Sequence, residues 1–299
     1  MHRIFLRIYL LFTFCCKIFE LKNFFLLNFN LFSKQISYKV LISTPSSGST
    51  FVRLCIMSFY EKYYHYGDGI PKHNPILNKE IFASNPVIMG DVYNQFQLNK
   101  LDYYSKLKNF EKSVIFFSRY PLGRIRFQLF KLEKSKFVIL IRDFLDQIIS
   151  TAVKSGFENL SERRSLDILE QKIMQYNKYI SYWAIFVQKS KRENFIVINF
   201  DSISLNPVST MSNILKFYDY PIDLDIIKFC VTTHSKENTK KRTDGLDKPK
   251  YKRFVVSSKK EFAKEEIKIY LEKNFLFKNI KKNYHYLLEM IEQKWAKFP

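Results

Sequence analysis

The sequence predicts an α/β fold of three layers, with a central parallel sheet between two layers of helices, and three observations carry that expectation. From residue 38 onward, short runs of β-branched and aromatic residues alternate with longer stretches of helical period. Several of the short runs are apolar almost without interruption, the pattern of strands covered on both faces. Finally, 46% hydrophobic residues and 17% aromatics, with 30 Phe and 19 Tyr, supply enough apolar surface for a large core in a chain of 299 residues. The same composition excludes a disordered basic tail, and seven Gly with nine Pro exclude collagen-like or linker-rich architectures.

Taken in order, residues 1–36 form a hydrophobic N-terminal extension rich in Phe and Leu but broken by Arg7, Lys17, Glu20 and Lys22. Its longest uncharged run at the start, Ile8 to Cys16, is far short of the roughly 20 apolar residues that span a bilayer. It reads as an extension that packs on the domain, or as a segment that associates weakly with a membrane surface. No small-x-small cleavage site follows it. Residues 37–299 then read as a single domain. Its strand candidates are Tyr38–Ser43, Val87–Met89, Ser113–Ser118, Lys136–Ile141 and Phe195–Phe200. The clearest helix carries Leu166, Leu169, Ile173, Tyr176, Ile180 and Trp183, whose spacings of three and four put them on one face as core. Toward the C-terminus, Ser258 and Glu261 make a capping box that starts a helix, Tyr284 to Trp295 reads as the last helix, and Lys236 to Arg253 reads as a basic loop.

Charge and cysteine content narrow the class of partner. The balance of 49 Lys+Arg against 28 Asp+Glu gives a net charge of +21, which implies an anionic partner without choosing among nucleic acid, membrane surface and phosphorylated small molecule. The four cysteines, Cys15, Cys16, Cys55 and Cys230, have neither CxxC spacing nor a nearby His cluster, so neither a zinc site nor a disulfide framework is indicated and a reducing compartment is expected.

Two local motifs bear on chemistry. The first is a strand ending at Ser43, the turn Pro45-Ser46-Ser47-Gly48-Ser49-Thr50 and a helix from Phe51. Such a turn aims successive backbone N–H groups and hydroxyls at the positive end of the helix, which is a phosphate cradle. It is not the GxxxxGK[ST] loop of nucleoside triphosphatases, since Gly occurs once and no Lys follows it. The second motif runs from Lys136 to Ser150 and places Arg142 at a strand's carboxyl end with Ser150 inside the next helix. An arginine fork with a hydroxyl on the adjoining helix grips a phosphate by charge-assisted hydrogen bonds, and ligands of open parallel sheets sit at that edge. Taken singly, each motif also fits an ordinary turn or a surface arginine.

Together the two segments resemble the sulfotransferases that use 3′-phosphoadenosine 5′-phosphosulfate (PAPS). Pro45 to Phe51 match that family's PKSGTTW-like loop for the 5′-phosphosulfate. Arg142, Asp146 and Ser150 match its RxPxDxxxS site for the 3′-phosphate, with Phe144 in place of the proline. Trp183, the run Phe195 to Ile203 and Asn206-Pro207 look like the family's tryptophan, core strand and YEDL…DP segment. Arg242 and Gly245 are similar to parts of its RKGxxGDW loop, and the resemblance covers about residues 38 to 255. It implies the sulfotransferase fold, a P-loop nucleotide-binding-like α/β architecture, and PAPS as co-substrate with no metal. The cofactor-binding residues it implies are Pro45, Ser47, Gly48, Ser49, Thr50, Phe51, Arg142, Ser150, Arg242 and Gly245.

The departures concern chemistry. Ser46 is a catalytic candidate by position, standing where the family has a Lys or Arg that stabilises the leaving phosphate, although a hydroxyl is a weak substitute for a cation. Arg119 stands at the position of the family's basic histidine, and arginine does not act as a base near neutral pH. His73 is therefore the candidate base, with His65, Glu80 and Asp91 as alternatives, while Arg53, Arg119 and a lysine of the 240–254 loop are candidates for the missing cation. The expected activity is sulfuryl transfer from PAPS to a hydroxyl of a carbohydrate, lipid or small molecule, in the cytoplasm or at a membrane surface, with no nucleic-acid partner. Two other readings stay open: a nucleotide-binding homologue with impaired catalysis, and a basic protein that binds nucleic acid or anionic membrane through Lys240-Lys241-Arg242 and Lys248 to Arg253.

Overall fold

Strand residues that alternate between two faces are the simplest route to a layered core, and the central strands here bury nearly every side chain while sending neighbours to opposite sides. The computed structural model describes residues 39–43, 46–65, 67–74, 79–81, 89–91, 115–118, 135–243 and 259–296. The N-terminal extension and residues 244–258 therefore lie outside the described residues. In chain order the strands are β1 (Lys39–Ser43), β2 (Lys72–Asn74), β3 (Lys79–Ile81), β4 (Met89–Asp91), β5 (Ile115–Ser118), β6 (Lys136–Ile141) and β7 (Phe195–Asn199). Five of them form one parallel sheet in the order β4-β5-β1-β6-β7, and β2 pairs antiparallel with β3.

Val40 and Ile42 of β1 and Phe137, Ile139 and Ile141 of β6 face one layer, while Leu41, Val138 and Leu140 face the other. On the first side lie α2 (Phe144–Lys154), α3 (Arg163–Lys189), α8 (Lys259–Lys273) and α9 (Phe275–Ala296), with α8 packed on α2 and α9 along α3. On the second lie α1 (Ser49–Tyr63), α4 (Phe200–Leu205), α5 (Pro207–Phe217) and α6 (Leu224–Thr233). The predicted stripe of α3 is core: Leu169, Ile173, Tyr176, Ile180 and Trp183 are all buried. Buried Tyr218 donates its hydroxyl to the Val40 carbonyl at 2.8 Å, pinning the end of α5 to the central strand. The three-layer α/β expectation is thus met.

Several local readings change, among them the strand expected over Val87–Met89, which runs over Met89–Asp91. Residues Lys236–Thr243 form helix α7, where a loop is expected over Lys236 to Arg253. The local reason is a cap and an ion pair: the Asn238 N–H donates to Ser235 Oγ at 3.2 Å, and Glu237 meets Lys241 four residues on at 2.8 Å. Helix α9 begins nine residues before Tyr284, because the Asn274 side chain accepts from the Phe277 N–H and starts it. The expected strand Phe195–Phe200 stops at Asn199, whose side chain accepts from the Asp201 N–H and turns Phe200 into the first residue of α4.

Cys55 on α1 and Cys230 on α6 are buried free thiols in the second layer, with Cys55 Sγ 3.7 Å from the Cys230 carbonyl oxygen. Burial pushes Cys55 well up and Cys230 up to about 11, so neither supplies a thiolate at neutral pH. No described helix is long and apolar enough to cross a membrane.

Candidate functional site

In a parallel sheet the loops that leave the carboxyl ends of neighbouring strands share one edge. Here β1 and β6 are neighbours in a register that sets Ser43 beside Leu140, so the chain leaving β1 and the Arg142 that follows β6 emerge side by side. Ser46 has φ 67° and Gly48 has φ 85°, both in the left-handed region, with Ser47 fully buried between them. Alternation of this kind turns consecutive N–H groups toward one concavity. Gly48 then caps α1: its carbonyl accepts from the Val52 N–H at 3.1 Å, it brings no side-chain oxygen to the first turn, and no acidic residue lies in that turn. The positive end of a 15-residue helix is left for an anion.

Glycine is required at 48 on two counts. A Cβ there would lie 3.1 Å from Ile203 Cδ1 and 3.2 Å from Phe200 Cδ2, in addition to the left-handed backbone. The floor of the turn is therefore built by the first residues of α4, which sequence reading assigns to a core strand and its continuation.

Arg142 joins the two loops. Its Nη1 donates to the Ser46 carbonyl at 3.1 Å, its guanidinium lies 4.4 Å over the Phe200 ring, and its Nη2 stands 3.6 Å from Asp146 Oδ2. Its side chain is only 14% exposed, and its buried Nε has no hydrogen-bond partner. A buried guanidinium with an unused donor beside a glycine-capped helix start fits phosphate oxygens. The N-cap of α2 holds this geometry in place, since Asp143 accepts from the Leu145 and Asp146 N–H groups at 2.9 and 3.0 Å. Ser150 lies further along α2 and is buried, with Gln147 buried about one turn before it. Lys264 reaches across from α8 to Asp146 Oδ1 at 3.4 Å.

The structure thus brings together Ser46, Gly48 and Arg142, with Ser47, Ser49 and Thr50 in the same turn and Phe51 half-buried just behind it. Pro45, Arg119 and Gly245 lie outside the described residues. Arg242 sits on α7 and donates to the Thr233 carbonyl and to Thr239 Oγ1, which ties α7 to the end of α6. His73 lies on β2, in register opposite Glu80 of β3, so two of the proposed bases share one strand pair. The approach to that pair is fixed by buried Glu61, whose carboxylate accepts from the Gly69 N–H at 3.0 Å, and by Ser58, which donates to the Gly69 carbonyl. Asp91 ends β4, at the carboxyl edge of the sheet. Ser46, offered as a catalytic residue, takes part through its backbone carbonyl, which accepts from Arg142. Phe200 and Lys264 are missed by sequence reasoning. An aromatic at the end of a strand reads as core, and Lys264 is one of many helix-face lysines. No group of three or more His, Cys, Asp and Glu residues that could hold a metal is found among the described residues.

Burial also sets one pH response. His234, at the end of α6, is 3% exposed, and burial, aided by the neighbouring Arg242 charge, pushes its imidazole down to about 3. The unfolded chain takes up that proton below about pH 6.5, whereas the folded chain stays neutral down to about 3. Stability from this group is complete above pH 6.5 and declines as the pH falls through that window, by roughly 1.4 kcal/mol per unit. Urea unfolding at pH 7 and pH 5 is expected to show His234→Gln losing roughly 2 kcal/mol less than wild type. Parallel losses in the two proteins would exclude the histidine as the source.

Residues 121–224, about a third of the chain, match the sequence profile of the sulfotransferase family. No curated protein sequence matches the chain. Among solved structures, a mouse sulfotransferase complexed with PAP is similar at a TM-score of 0.50 and 11% identity, over 84% of this chain and 90% of that one. A Synechococcus PCC 7002 olefin synthase sulfotransferase domain aligns at a TM-score of 0.42 and 12% identity, over 78% of this chain and 96% of that one. Retinol dehydratase in complex with androsterone and the inactive cofactor PAP aligns at 0.40 and 12%, over 79% and 81%. The segment that carries Arg142, Asp146 and Ser150 falls inside the matched residues, and the turn at Ser46–Gly48 falls outside them. The resemblance read from the sequence is therefore upheld: the chain has the sulfotransferase fold and, over residues 121–224, the sequence pattern of the sulfotransferase family.

Proposed function

We propose that this protein transfers a sulfuryl group from PAPS to a hydroxyl of an acceptor molecule. The observation that supports it most is the placement of Arg142, held to the Ser46 carbonyl with its Nε unpartnered, beside the glycine-capped start of α1. When bound, PAPS supplies a sulfuryl group whose departure leaves charge on the 5′-phosphate. The backbone N–H groups of Ser47 to Thr50 and the positive end of α1 take up such charge without reorganising. Ser49 and Thr50 offer hydroxyl donors at the same turn. Arg142 and Ser150 hold the 3′-phosphate and so fix the distance between nucleotide and acceptor. His73, on the β2–β3 pair, accepts the acceptor's proton.

A second reading is supported by the first loop itself: Thr44 to Thr50 contains no cationic side chain, so the chain also fits a protein that holds the nucleotide without transferring sulfate. One experiment separates the two. Calorimetric titration with adenosine 3′,5′-bisphosphate is expected to show micromolar binding, and incubation with radiolabelled PAPS and a panel of hydroxyl acceptors is expected to label at least one of them. Binding without label in any acceptor class would favour the non-transferring reading, and no binding at all would remove both.

A further inference from the structure

The cation at the centre of the site is partly cancelled by its own neighbour. Arg142 and Asp146 stand four residues apart where β6 gives way to α2, with 3.6 Å between Nη2 and Oδ2. That distance is long for a charge-assisted hydrogen bond, so the carboxylate is near the guanidinium without being committed to it. An incoming phosphate dianion would meet the Asp146 charge beside the Arg142 donors. The opposite oxygen of the same carboxylate faces Lys264 of α8 at 3.4 Å, with Lys264 53% and Asp146 40% exposed. Helix α8 packs on α2 and is brought there by a part of the chain far from both phosphate motifs.

Resting on the nucleotide-site reading above, we propose that Lys264 is a positioning residue for the 3′-phosphate subsite: its charge offsets that of Asp146 from the side away from Arg142, and so leaves Arg142 to the phosphate. The three side chains carry a net charge of +1 with Lys264 and zero without it. Removing the lysine therefore leaves Arg142 to balance Asp146 and the incoming dianion together at a partly desolvated edge of the sheet, where charges a few ångströms apart are worth more than in bulk water. The helix α8 thereby becomes part of the nucleotide site, and its docking on α2 is linked to nucleotide affinity.

The test is calorimetry with two probes, adenosine 3′,5′-bisphosphate and adenosine 5′-monophosphate, which differ by the phosphate in question. In Lys264→Gln the Kd for the bisphosphate is expected to rise about tenfold at low salt, with less effect at high salt, while that for the monophosphate stays within about twofold. Lys264→Arg is expected to restore the bisphosphate affinity, which a purely structural role would not require. In an Asp146→Asn background the same Lys264→Gln change should no longer weaken binding, because the charge it neutralises is gone. An unchanged ratio of the two affinities in Lys264→Gln, or a full penalty that persists in the Asp146→Asn background, would overturn the role of Lys264 alone. Failure of the wild-type protein to bind the bisphosphate would instead take down the nucleotide-site reading and this inference with it.

Discussion

Arg142→Ala is expected to raise the Kd for adenosine 3′,5′-bisphosphate by about 10² to 10³-fold. Hydrogen bonds to charged groups contribute about 1.5–3 kcal/mol each, and donors of the guanidinium remain for the subsite once the Ser46 carbonyl has taken one. The substitution also leaves Asp146 with Lys264 but without the cation four residues back, which adds repulsion to the lost attraction. Arg142→Lys is expected to recover little. A lysine keeps the charge but lacks the planar fork that bonds the Ser46 carbonyl and lies over Phe200 at the same time. The two loops then lose their tie, and the turn after β1 is no longer held in line with β6. Calorimetry on both variants, with thermal unfolding as a control for folding, checks this. Affinity within threefold of wild type in Arg142→Ala would mean that the guanidinium serves only to brace the loop.

How much of this is legible in the chain depends on the range of the interaction concerned. The central strands of the sheet follow from continuous apolar runs, since a strand buried on both faces writes its whole length in Val, Ile, Leu and Phe, as residues 137–141 do. The core stripe of α3 follows from its spacing. The pairing of Arg142 with Ser150 is readable because both lie on one strand-helix unit, so their separation is local. Helix α7 escapes a sequence reading because its support lies in a cap at Ser235 and an ion pair from Glu237 to Lys241, features too short to outweigh a basic composition. Phe200 and Lys264 escape it for a different reason: each acts on the site from a distant part of the chain. Phe200 is 58 residues from Arg142 and Lys264 is 118 from Asp146, and only the packing of α4 under the turn and of α8 on α2 brings them together. Residue type alone does not distinguish Lys264 from its many neighbours of the same kind.

Gly48→Ala is expected to damage both stability and binding, and Gly156→Ala supplies the comparison that separates the causes. Both glycines have left-handed backbones, with φ 85° at Gly48 and 98° at Gly156. An alanine at either carries the conformational cost of that region, about 1–2 kcal/mol. At Gly156, which follows α2 and points into open space, nothing lies within 4 Å of the added methyl, and that cost is the whole effect. At Gly48 the methyl would sit 3.1 Å from Ile203 and 3.2 Å from Phe200, both packed beneath the turn, so one of them must shift. A shift of Phe200 by a few tenths of an ångström also moves the surface on which Arg142 lies, and the disturbance passes from the turn after β1 to the loop after β6. Gly48→Ala should therefore lose about 2–4 kcal/mol in urea unfolding against about 1–2 for Gly156→Ala. The Kd for adenosine 3′,5′-bisphosphate should rise at least tenfold in the first variant and remain unchanged in the second. Equal losses of stability with intact binding in both would show that the close approach of α4 to the turn has no part in holding the nucleotide.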